Sequence, residues 1–110
     1  MKLFRSLLVV AGCACGAAVY AADVAANWEN HCASCHGADG RGDTKMGKRL
    51  KIKDLTSAEV QASFTDAAAM KAVKEGIRDE KTGKLAMKPI EGLSDEEIQV
   101  LVAHVRSLKK

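Results

Sequence analysis

Residues 31–43 read HCASCHGADGRGD. Cys32 and Cys35 stand two residues apart, and His36 follows directly. Three chemistries use such a pair: a metal site, a dithiol that cycles between oxidation states, and covalent fastening of a haem. The rest of the chain has to choose among them.

The compartment comes first. Met1-Lys2-Leu3-Phe4-Arg5 is a short basic region, Ser6 to Ala18 is apolar and small, and Val19-Tyr20-Ala21 has the small residues of a cleavage site. Residues 1–21 therefore read as a secretory signal, too short for a membrane span, with the cut after Ala21 or Ala22. The domain is then 22–110. Val10-Ala11-Gly12-Cys13 also resembles a lipobox, so a lipidated Cys13 is a second route, and the only one to a membrane. Cys13 and Cys15 otherwise leave with the signal. The destination is the periplasm.

The full chain carries 17 basic and 14 acidic side chains. Losing Lys2 and Arg5 leaves 15 against 14, a near-neutral protein with no global attraction for nucleic acid. The charges are unevenly spread. Lys45, Lys48, Arg49, Lys51 and Lys53 form a basic segment, while Glu91, Asp95, Glu96 and Glu97 form an acidic one. The basic run reads either as a solvated face or as a docking patch for an acidic partner.

Trp28 and Phe64 are the only aromatic residues after the signal. A single small domain of this size, filled mainly by aliphatic side chains and Ala, is short of core unless something large and apolar completes it.

Four helical stretches can be read. Val24, Trp28 and Cys32 share a stripe over about 24–32. Gly37, Gly40 and Gly42 with Asp39 and Asp43 then make a turn region. Thr56 and Glu59 form a capping box for a helix over 57–63. Thr65 caps the next, with Met70, Val73 and Ile77 on one face and Gly76 as its stop. The segment Asp79 to Gly92 reads as a loop. Ser94 and Glu97 box the last helix, whose Ile98, Leu101, Val102, Val105 and Leu108 recur at helical spacing. No run reads as a strand, so the domain is expected to be all-α.

This organisation bears on the motif. A Cys32–Cys35 disulfide would brace almost nothing. A thioredoxin-type dithiol expects a strand feeding a helix. A structural zinc site needs two more ligands, and His31 and His104 are the only other histidines. His31 reads as a helix-end residue and His104 as a solvated one. Haem attachment uses every letter: the two thiols add to the vinyl groups, and His36 lies under the iron as a ligand.

Trp28 before Cys32, the Cys32-Ala33-Ser34-Cys35-His36 motif, Gly37 to Gly42, Met87-Lys88-Pro89 and the helix from Leu93 to Leu108 together resemble a small bacterial class I monohaem cytochrome c. The resemblance spans nearly all of 22–110. It implies a fold in which the N- and C-terminal helices cross around one haem c, thioether-linked to Cys32 and Cys35. It makes Trp28 the aromatic at the crossing, with Leu101, Val102 and Val105 as neighbours. Family members commonly have Gly-Pro-x-Leu after the motif, and the prolyl carbonyl there accepts the histidine's Nδ1–H. The matching stretch here is Gly47-Lys48-Arg49-Leu50, so the resemblance implies the carbonyl of Lys48 in that role.

For the sixth iron ligand, Met70 reads as core filler and Met46 as a residue packed near the haem edge. Met87 lies far from His36 in sequence, and Lys88-Pro89 restricts its backbone. The family puts its axial methionine in such a segment, which makes Met87 the leading ligand and Met46 its competitor. His/Met ligation closes the iron to small molecules and implies a one-electron carrier rather than an enzyme. Its partners would be a donor dehydrogenase or quinol-oxidising complex and an acceptor oxidase or reductase of a respiratory chain, in transient contact. The alternatives are a gas sensor or small peroxidase with an open iron, or a haem subunit fixed in one respiratory complex.

Overall fold

The final helix is the best-specified element, and the domain is built on it. The computed structural model describes the backbone from Cys15 to Lys110 and side chains from Asp23 onward. Cys13 and most of the signal segment 1–21 lie outside the described residues.

Helix α1 runs Cys15–His31 and α2 Ala33–His36, with Cys32 at the joint between them. Helix α3 is Lys45–Leu50, α4 is Ala58–Ala62, α5 is Asp66–Glu75 and α6 is Asp95–Ser107. Ser94 opens α6 as read from the sequence. Its hydroxyl accepts from Glu97 N–H, and the Glu97 carboxylate accepts from Ser94 N–H.

Helices α1 and α6 pack across each other. Their shared core contains Trp28, Cys32 and Leu101, with Val24, Val105 and Leu108 against it. This is the helix crossing that the resemblance implies, with Trp28 at its centre. Val102 is also buried but lies outside that cluster. Helix α5 leans on α6, where Lys74 pairs with Asp95 at 2.7 Å.

Three expectations are corrected. The stretch 45–50 is a helix, because Thr44 caps it by accepting from Gly47 N–H. The cap of α4 is Ser57, since Thr56 is occupied in a turn in which its N–H and hydroxyl both donate to Asp54. The segment after Gly76 is not all loop. Ile77–Arg78 (β1) and Leu85–Met87 (β2) pair as an antiparallel hairpin, with Ile77 opposite Met87. Ile77 therefore leaves the α5 face assigned to it. The domain remains helical in architecture, with this hairpin as its one small sheet among the described residues.

Candidate functional site

Cys32, Cys35 and His36 are brought onto one tight turn. Cys32 N–H donates to Trp28 O and His36 N–H donates to Cys32 O, both at 2.9 Å, so α1 hands its hydrogen bonding on to α2. Gly37 ends α2 at φ +82° and sends the chain away. Its carbonyl accepts from Trp28 Nε1 at 3.0 Å. The core tryptophan thus grips the residue next to His36, and its ring lies 5.9 Å from the His36 ring.

Neither cysteine is in a disulfide. Cys32 is 8% exposed, and burial, reinforced by the charge of Cys35, pushes its thiol up to about 11. A cycling dithiol needs an accessible, easily ionised sulfur, which is the opposite environment. Among the described residues no three His, Cys, Asp or Glu side chains converge on a common point, so zinc has no ligand set there.

The residues fit a haem in two respects. Burial holds the His36 pKa below its ordinary value, favouring the neutral, metal-ligating imidazole. Ile77 and Leu85, on the hairpin, are 48% and 40% exposed, and Met46, on α3, is 40% exposed, apolar surface that a planar apolar cofactor would cover.

Met87 is half-buried at the end of β2. Its backbone lies hard against Gly76 (φ +76°), where a Cβ would strike Met87 O and come within 2.9 Å of Pro89 Cδ. Ile90 N–H donates to Val73 O at 2.8 Å, fastening the loop to α5. Met87 thus hangs from the α5 side, whereas Met46 sits on α3, which packs against the haem turn itself. Met70, on α5, is half-buried and lies outside the buried core cluster.

Two expectations fail here. Residues 45–50 are wound into α3, so Lys48 O accepts from Lys51 N–H at the helix end and does not reach His36. His104 is not solvated. Its ring lies 4.9 Å from that of Trp28, and its Nε2 is buried without a partner. Position 104 follows Leu101 by three, and that spacing was the signal for a shared inner face. His31 closes α1 and is exposed, as read.

Residues 16–109 match the family model described as Cytochrome c. The chain belongs to the cytochrome c family, as a small monohaem protein of the class I type. A solved structure titled KustC0563 c-type cytochrome is similar at 32% identity, covering 80% of this chain and 99% of that one with a TM-score of 0.67. A mutant of Kustc0563 with tyrosine changed to phenylalanine is similar at 32% identity, covering 79% and 99%, with a TM-score of 0.64. A search of curated proteins found no match. Haem c, with its iron, is the family's covalently bound cofactor, and Cys32 and Cys35 are the two cysteines of this chain's attachment motif.

Proposed function

We propose that the protein is an extracytoplasmic one-electron carrier whose haem iron is held by His36 and Met87. The observation that carries this reading is the separate anchoring of the two ligands. His36 is fixed by the α1–α2 joint and Met87 by the clasp between Gly76, Pro89 and α5. Two ligands mounted independently on a packed frame change little between oxidation states, which suits electron transfer and disfavours ligand binding. Burial keeps the His36 imidazole neutral and available to a metal. The thioether of Met87, a soft donor, favours the reduced metal and raises the potential relative to two histidines.

Export rests on the signal read over residues 1–21, and no described helix is long and apolar enough to cross a membrane. The exposed basic run Lys45 to Lys53 is the docking surface for an acidic redox partner. Lys48 is paired with Asp43 at 3.0 Å, but both side chains are 73% exposed, so a partner's carboxylates can compete. Charge reversal of Lys45, Arg49 and Lys51 is expected to slow electron transfer to a physiological partner, most at low salt. A rate that is unchanged at low salt contradicts the docking assignment. Exposing the reduced holoprotein to carbon monoxide tests the carrier itself. An unaltered spectrum supports the closed iron site, and a bound spectrum at stoichiometric gas shows a ligand-binding haem protein instead.

A further inference from the structure

Both ends of the segment that bears Met87 are tied to the last turn of α5. Gly76 N–H donates to Ala72 O where the segment leaves the helix, and Ile90 N–H donates to Val73 O where it returns, each at 2.8 Å. Between these ties Gly76 is pressed against Met87 and Pro89. The place of Met87 is therefore set by the place of that turn, and the turn is placed by what holds α5 against α6.

Among the described residues two ion pairs join these helices, one at each end of α5. At its first residue, Asp66 accepts from Arg106 Nε at 2.7 Å. The same guanidinium donates to the carbonyls of Gln61 and Phe64, so several bonds fix that end. At the other end, Lys74 Nζ meets Asp95 Oδ1 at 2.7 Å as the one such tie. Lys74 directly follows Val73, and Asp95 comes a few residues after Ile90, so this pair closes the neck of the Met87 segment. Its side chains are 43% and 68% exposed, which leaves it open to screening by salt. Lys74 lies in the last turn of α5 and Asp95 in the first turn of α6, so each charge also suits its own helix end.

We infer that the Lys74–Asp95 pair is a salt-sensitive latch on the Met87 segment, with the Arg106 end of α5 as its pivot. Both are positioning residues and touch no cofactor. The inference rests on the reading of Met87 as an iron ligand.

The test uses the holoprotein with Lys74→Met, Asp95→Asn and both together, under conditions where every variant is folded. The readouts are exchange of the Ile90 amide and the affinity of the ferric protein for imidazole, which binds only where Met87 has left the iron. Each single variant is expected to raise both by roughly two- to fivefold at low salt, the range of an exposed ion pair. The double variant should be no looser than either single one, because the pair is lost only once. High salt should bring the wild type to the variants' values and change the double variant little. Additive effects of the two substitutions overturn the latch, since each charge would then act on its own helix end. Wild-type imidazole affinity in the single variants also overturns it, provided Met87→Ala has lost the sulfur-to-iron band of the ferric spectrum. If Met87→Ala keeps that band, the ligand reading has failed instead. Ile90 exchange then judges the latch alone: faster exchange in the single variants supports it, and wild-type exchange overturns it.

Discussion

At the scale of single residues, Gly47 and His104 carry the sharpest consequences. Gly47 lies on α3 with normal helical backbone, so its need for glycine is purely spatial. Gly47→Ala drives a methyl into Cys35 O and Thr44 Oγ1, neither of which can swing away without breaking the turn. A loss of about 1–3 kcal/mol is expected, read as a lowered denaturant midpoint of the holoprotein. For His104, burial lowers the pKa, so the folded protein prefers the neutral ring. The unfolded chain then binds the proton more readily. The contribution is complete above the unfolded value of about 6.5 and is lost as pH falls through the lower folded value. His104→Gln is expected to flatten that part of the stability–pH curve, measured by chemical denaturation between neutral and mildly acid pH. Cys32, Cys35 and His36 were legible because their spacing is itself the chemistry. The environment of His104 was legible only from its spacing of three from Leu101, a sign outweighed by the polar residue type, which reads as solvated.

At the scale of elements, the contacts between helices are made by few groups with double duties. Glu97 accepts from Ser94 N–H within its capping box and from the Asn27 side chain on α1 at 3.2 Å, joining the cap of α6 to the helix crossing. The backbone hydrogen bond from Ser94, then the bond from Asn27, hold its carboxyl below the ordinary range. That contribution is present above the unfolded value near 4.3 and disappears as pH falls through the folded one. Glu97→Gln keeps a capping-box acceptor and should reduce the acid sensitivity of the fold without abolishing the helix. Arg106 is the second such group. It donates to the carboxylate of Asp66 and to the carbonyls of Gln61 and Phe64, and lies 4.3 Å over the Phe64 ring. Arg106→Ala should therefore cost about 2–3 kcal/mol, far more than a surface ion pair, and a melt of the holoprotein checks it.

The elements themselves were unequally visible. Helix α6 was plain from a box and a periodic stripe, and α5 from Thr65 and Gly76. Helix α3 and the hairpin were hidden for a common physical reason. Six residues with a central Gly, and strands of two and three residues, are too short to show a period. They form because neighbours hold them, α3 by Thr44 and the hairpin by α5.

At the scale of the whole molecule, the described hydrophobic interior is small: Trp28, Cys32, Ile98, Leu101 and Val102 are its buried apolar side chains. Ile77, Leu85 and Met46 stay open. The shortage inferred from composition is thus matched by large apolar side chains left exposed on the hairpin and on α3. Cys32→Ala/Cys35→Ala, which cannot fasten the cofactor, is expected to give a chain with weak helical circular dichroism that binds hydrophobic dyes. A cooperative, fully helical melt from that variant would show that the polypeptide core suffices alone.

The account depends most on Met87. The ferric holoprotein should show a low-spin spectrum with the weak band of sulfur-to-iron coordination, and Met87→Ala should lose that band and turn high-spin. Retention of the sulfur band in Met87→Ala would contradict the assignment, and its loss in Met46→Ala would move the ligand to α3.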